Sequence, residues 1–332
     1  MNKTIYCEFE FLQEFINKYP DPSTDIDGLI SWKLIYDLIY YANKKINVPL
    51  YKLYDEARAN LQFAKLFKYS NVVYEKDFPN LENPDSISFD KEKKNSVFLT
   101  STSKRNREYL SENYGILAIG KEDIFNYSNE YGTICRAIRK NSNKGWRNLI
   151  PPSLRISNSL IVSDLYFLSN NQKIKDNVRD ILEMLLPIQS HFCYPIFIYS
   201  FDMGNNEKVL YTTITKIIRD IRPNLDFTLS LFKVYDKAFH DRHIITNNIY
   251  IECGAGFDLF KDGRALKTTN LRMAYPFMFH ENQKDSYKES YLNLIADILG
   301  LEHRGHARNI DFWGDDQRNM DLISYYDEYL SK

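Results

Sequence analysis

Apolar and polar positions along this chain recur at two periods, and the changes from one period to the other mark out its elements. In the first part, TIYCEFEF (4–11) alternates like a strand, and SWKLIYDLIYYANKKI (31–46) carries apolar residues at helical spacing. SNVVYE (70–75) and NSVFLTST (95–102) read as further strands. SKRNREYLSENYG (103–115) predicts a helix with a Ser start and a Gly115 stop, followed by the short buried strand ILAIG. Polar stretches around 20–28 and 77–95 read as loops.

After residue 159 the alternation resumes. SLIVSDLYFL reads as a buried strand, and NQKIKDNVRDILEMLLPI as a helix with Ile174, Val178, Ile181, Leu182 and Leu185 on one face. Then follow the strand YPIFIYSFD, the helix EKVLYTTITKIIRDI, DFTLSLFKVY, and the strands FHDRHIIT and IYIECGAG. Helices packed on a mixed sheet are implied. The stretch after Tyr287 reads as helical, with a polar interruption at EHRGHARNIDFWGDDQRN. No internal repeat is present. The fold class expected is α/β, with an N-terminal α/β domain (1–130), a basic linker (131–153), a second α/β domain on a mixed sheet (154–285) and a helical tail (286–332).

The linker is set apart by charge. Between Glu130 and Asp164 there is no acidic residue, yet Arg136, Arg139, Lys140, Lys144, Arg147 and Arg155 fall there with Trp146, before Pro151-Pro152. Such a stretch reads as a connector touching the phosphates of nucleic acid, or as a solvated linker.

Composition narrows the class. The chain has 332 residues, 44% hydrophobic and 26% charged, as soluble globular proteins do. A net charge of −1 argues against a general nucleic-acid coat, though not against local patches. Tyr and Phe are abundant, which A/T-rich codon usage explains as readily as base stacking does. The four cysteines, Cys7, Cys135, Cys193 and Cys253, form no C-x-x-C pair, so a reducing cytoplasm fits and no cofactor is implied. The start MNKTIYCEFEF lacks a signal-peptide core, and no apolar run of about 18 residues occurs.

The chemistry concentrates in AFHDRHIITNNIYIECGAGFDLF (238–260). His240 and Arg242 are two apart, so on a strand they project to one side. Asn247 follows after four residues and Gly254-Ala255 after six more. An imidazole can attack phosphorus, a cation beside it holds the non-bridging oxygens, and glycine lets a phosphate approach the backbone. Asp241 and His243 alternate to the opposite face.

This spacing resembles the phospholipase D superfamily signature. It is most similar to the phospholipase-D-like C-terminal domain of MIT-domain proteins, through His240-Asp241-Arg242-His243-Ile244, Asn247-Asn248, Ile251, Gly254, Gly256, Asp258 and Phe260. Upstream, Asp164, Tyr166, Gln172 and Asn177 match that family's strand-end Asp-x-Tyr, helix-start Gln and following Asn. The likeness covers roughly 155–282. It implies a metal-independent phosphodiesterase with His240 as nucleophile, Arg242 as phosphate clamp and Asn247 as orienter. Gly254, Ala255 and Gly256 would line the phosphate.

Three departures qualify it. Arg242 stands where the superfamily has Lys, Ala255 where it has Ser, and the motif occurs once. Two histidines are needed, one as nucleophile and one as acid, so activity requires a homodimer. The MIT-associated relatives bind acidic membranes rather than hydrolyse. The expectation is therefore a cytoplasmic nuclease, by analogy in bacterial defence. The alternatives are a module binding acidic phospholipid or nucleic acid without cleavage, and an adaptor for a partner encoded nearby.

The first segment resembles the PIN nuclease fold, which holds magnesium or manganese on strand-end carboxylates, but it reads more readily as an inactive α/β interaction module than as a metal nuclease. Glu8 or Glu10 would supply the first; Ser101, Thr102 and Ser103 stand where an Asp is expected, and Glu122 and Asp123 follow the last strand. In the tail, His303, His306, Asp311, Asp315 and Asp316 match no metal motif, and an exposed loop is expected there.

Overall fold

The computed structural model describes residues 4–67, 71–89, 92–93, 96–126, 134–143, 145–150, 155–169, 174–200, 206–234, 242–274 and 310–314. The chain is α/β and divides into two compact units, Met1–Gly132 and Thr133–Lys332.

The first unit is built on a parallel sheet of β1 (Thr4–Cys7), β2 (Asn43–Ile46), β3 (Val72–Tyr74), β4 (Val97–Thr100) and β5 (Leu117–Gly120), in the order β3-β2-β1-β4-β5. Its helices are α1 (Phe9–Asn17), α2 (Ile26–Tyr41), α3 (Leu50–Ala59), α4 (Leu61–Lys65) and α5 (Lys104–Tyr114). β4 is buried at every position, as parallel strands covered on both faces are.

Local signals set several boundaries. Ser103 caps α5 by accepting from Asn106 N, and Gly115 ends it in the left-handed region at φ 61°. The expected strand 4–11 stops at Cys7. Beyond it Phe11, Leu12 and Phe15 form a helical stripe and bury together. The Asp25 side chain accepts from Gly28 N, so a helix starts inside the expected 20–28 loop. NKKI, read as the end of a helix, is β2.

β2 carries a cost. Lys44 is 1% exposed, paired with Ile5 across β1–β2 and close enough to Cys7 to interact electrostatically, and its ammonium donates to Ala42 O at 3.0 Å. Burial pushes the Lys44 pKa down from 10.5 to about 7, and burial likewise pushes the Cys7 thiol up.

The second unit holds a mixed sheet in the order β15-β9-β8-β7-β10-β11-β14-β6. β7 (Leu160–Ser163), β8 (Tyr194–Ser200) and β9 (Phe227–Val234) are parallel. Ile174–Val178 forms a π-helical turn that runs into α6 (Arg179–Leu185), and α7 (Glu207–Ile221) follows β8. Ile174, Val178, Ile181, Leu182 and Leu185 are all buried, as their spacing predicts. β10 (His243–Thr246), β11 (Tyr250–Cys253), β14 (Thr269–Ala274) and β6 (Ile134–Ile138) continue the sheet antiparallel. β12 (Phe260–Lys261) and β13 (Arg264–Ala265) form a separate hairpin.

Two expectations are corrected. The 131–153 linker is no connector: β6 pairs along β14, and Trp146 is fully buried. A 3-10 turn at Trp146–Asn148 brings the indole inside. In the expected helical tail, β15 (Ile310–Gly314) is a strand pairing antiparallel with β9. No helix among the described residues is long and apolar enough to cross a membrane.

The depressed Lys44 pKa gives a signed prediction. Between about pH 7 and 9 the unfolded chain binds the Lys44 proton and the folded chain increasingly does not, so Lys44 makes stability rise with pH there; above about pH 9 the raised Cys7 and Cys253 thiols act in the opposite direction. Lys44→Met will stabilise the protein at pH 7, on the order of 1–3 kcal/mol, and flatten this rise. Urea unfolding of both proteins across that range checks it.

Candidate phosphate site

Parallel strands β7, β8 and β9 send their carboxyl ends the same way. β10 runs antiparallel to β7 with His243 opposite Ser163, so the chain enters β10 beside the exit from β7. That register sets Arg242 next to Asp164. β11 returns with Glu252 opposite His243, which brings Cys253 and Gly254 to the same end. Ligands of α/β sheets bind at such carboxyl ends.

Asp164 organises this corner. It is 1% exposed and accepts from Tyr166 N at 2.8 Å and Phe257 N at 2.6 Å. Burial raises its pKa, against the lowering effect of those N–H groups and of Arg242 nearby. The turn over it requires glycine. Gly256 has φ 91°, and a Cβ there would lie 2.7 Å from Asp164 Oδ2 and 3.2 Å from Asp258 Oδ1. The half-buried Arg242 donates Nη1 to Gly254 O. Gly254 is exposed and Ala255 half-buried, and with Gly256 they form a turn closed by Gly256 N to Cys253 O. Beside it, burial pushes the Cys253 thiol up to about 11.

The structure brings some predicted residues together and separates others. Arg242, Gly254, Ala255 and Gly256 share the corner, while His240 lies outside the described residues. Asn247 does not share it. It sits in the β10–β11 turn, roughly 16 Å of extended chain from Arg242. There its Oδ1 accepts from Asn158 N at 2.8 Å, tying the turn to the entry of β7. His243 is buried and bonded to Tyr250 Oη through Nδ1 at 2.6 Å.

The basic stretch is redistributed. Trp146 cannot stack on bases: its ring packs on Phe257 and Phe260, and its Nε1 donates to Asn177 Oδ1 at 2.9 Å. Asn177 also accepts from Phe260 N and donates to Phe260 O. Arg147 pairs with Glu183, and Arg136 donates to Asn148 O. Arg139 and Lys140 are exposed; Lys144, Gln172, His303, His306, Asp315 and Asp316 lie outside the described residues. What the sequence reading missed is the hairpin FKDGRA, although its Asp-Gly step is a strong turn signal.

In the first unit, Glu8 at the end of β1 accepts from Thr100 Oγ1 at 2.7 Å and Ser101 N at 2.6 Å. Glu10 accepts from Asn47 Nδ2 at 3.4 Å. Glu122 and Asp123 flank the buried Arg107 and both pair with it. Among the described residues no group of three or more His, Cys, Asp or Glu is placed to hold a metal.

No family model matches this chain, and no curated protein does. Among solved structures, the archaeal chromatin protein TrmBL2, whose structure shows a novel mode of DNA binding, aligns at 10% identity and a TM-score of 0.25. The match covers 49% of this chain and 52% of that one, so the chain spans about half the length of TrmBL2. At that TM-score the likeness carries no argument about fold or function.

Two substitutions test the corner. Asn177→Ala strands Trp146 Nε1 and Phe260 N without their acceptor and will cost about 2–4 kcal/mol in urea unfolding. Gly256→Ala will destabilise by about 1–3 kcal/mol, since the strained φ and the contact with Asp164 act together. A neutral result for either would show that the turn is held by other contacts.

Proposed function

We propose that the second unit is a phospholipase-D-like phosphodiesterase whose phosphate site is the corner around Arg242. The observation that supports this is the placement of Arg242 at the carboxyl ends of the parallel strands, between buried Asp164 and the Gly254–Gly256 turn. A cation there faces the region where α/β sheets take ligands, and the glycine turn leaves room for phosphate oxygens.

In this reading Arg242 holds the non-bridging oxygens. His240, two residues before it, attacks phosphorus and forms a phospho-histidine as the P–O bond to the leaving group breaks. A second imidazole, the His240 of another copy, gives its proton to the departing oxygen. Water then attacks phosphorus, the second imidazole takes its proton, and His240 is released. Asn247, at the far end of β10, has no part in these steps. Because Arg242 does not readily release a proton, it acts as a clamp only.

A second reading, binding without cleavage, is favoured by one feature. The Arg242 guanidinium already donates to Gly254 O and lies near Asp164, so its charge is partly compensated.

DNA, RNA and bis(p-nitrophenyl) phosphate, each incubated with the protein in EDTA, separate these readings. Cleavage is expected to persist in EDTA, to fall by about three orders of magnitude or more in His240→Ala, and to accompany elution as a dimer. Undiminished cleavage by His240→Ala would sink the phospho-histidine reading. Absence of cleavage, with binding weakened by Arg242→Ala, would establish the binding module instead.

A further inference from the structure

Beyond the corner, five exposed cations gather on two connected loops: Arg139 and Lys140 after β6, and Lys261, Arg264 and Lys267 on and after the β12–β13 hairpin. The two loops are bonded backbone to backbone. Asn141 N donates to Ala265 O at 2.8 Å, and Ala265 N donates to Ser142 O at 3.0 Å. Lys140 N donates to Thr268 Oγ1 at 3.1 Å.

The hairpin has a tight turn, and its register places two like-charged residues opposite each other. Asp262 (φ 48°) and Gly263 (φ 75°) are both left-handed, as a two-residue type I′ turn requires. Lys261 and Arg264 are direct cross-strand partners, so their Cβ atoms stand about 5 Å apart on one face, and like charges opposite one another are destabilising. That juxtaposition costs stability alone and becomes favourable when an anion sits between the two.

The cluster is continuous with the Arg242 corner. Lys267 Nζ lies 4.0 Å from Asp258 Oδ1, and Asp258 and Arg242 both border Gly256. Tyr166, whose N–H is fixed on Asp164, is 43% exposed at the same corner. Two carboxylates, Asp258 and Asp262, stand among the five cations.

We infer that the β12–β13 hairpin and the 139–143 loop form a cationic track for the backbone of a single-stranded nucleic acid that continues out of the Arg242 site. This deepens the proposed function and rests on it for the reacting phosphate. A row of cations leading from one phosphate site fits a chain of phosphodiesters better than one small phosphodiester. An exposed ring beside that site suits an unpaired base, since stacking on aromatic side chains is how single strands are held without sequence preference.

The test compares a long and a small ligand on three proteins. Binding of a labelled oligothymidylate of roughly 30 nucleotides and of bis(p-nitrophenyl) phosphate is measured for wild type, Lys261→Glu/Arg264→Glu and Arg242→Ala. The hairpin variant is expected to weaken the oligonucleotide about tenfold or more, reduce its salt dependence by about two contacts, and leave the small phosphodiester unchanged. Arg242→Ala should weaken both. Unchanged oligonucleotide binding by the hairpin variant would overturn the track. So would capture of phosphatidylserine vesicles in place of the oligonucleotide. Loss of oligonucleotide binding in the hairpin variant, with the small phosphodiester indifferent to Arg242→Ala, would keep the track and sink the phosphate site.

Discussion

Asp164 leaves the carboxyl end of β7 almost without solvent, and two backbone N–H groups, from Tyr166 and Phe257, converge on its carboxylate. One donor follows it in sequence and the other lies 93 positions away, so this side chain fastens the turn after β11 to the end of β7. Burial of a charge is costly unless it is hydrogen-bonded, and its strength as an anchor has the same origin. The left-handed Gly256 is a consequence, because a Cβ would enter the carboxylate. The position of Gly254 O, on which Arg242 rests, follows from the same turn.

A second buried polar group supports the corner from behind. Asn177 sits in the π-helical turn before α6 and binds Trp146 Nε1 together with both backbone groups of Phe260. Through these bonds the 3-10 turn of the basic stretch and the first strand of the hairpin are fixed to one point. The side chains between them, Trp146, Phe257 and Phe260, form an aromatic wedge that excludes water and strengthens the bonds. The exposed cations of the hairpin thus stand on a base anchored by buried hydrogen bonds and packed rings.

The first unit handles strand-end charge differently. Its carboxylates are answered within the unit: Glu8 by Thr100 and Ser101, Glu122 and Asp123 by Arg107. Arg107 lies against Gly120, where any Cβ would meet the guanidinium at 2.3 Å. The sheet end that faces ligands in many parallel folds is here occupied by intramolecular pairs.

Local chemistry was legible in the chain, and long-range pairing was not. Ser103 and Gly115 bound α5 because a cap and a left-handed stop act on residues within one turn. The stripe from Ile174 to Leu185 was legible for the same reason, since one helix face is a pattern of near neighbours. The motif spacing named Arg242 and Gly254 to Gly256 together, and adjacent strands β10 and β11 do bring these residues to one corner. Asn247 was misplaced because spacing along a chain does not say which end of a hairpin meets the ligand. β6 and β15 were missed because each is completed by a strand more than 70 residues distant, β14 and β9. Trp146 looked like a stacking platform until Asn177, Phe257 and Phe260 closed over it. The sequence by itself determined the α/β class, the caps and the buried helix stripe, all consequences of interactions between near neighbours. Tertiary structure decided which carboxylates, cations and rings share one corner, because sheet order and burial depend on contacts that no local pattern encodes.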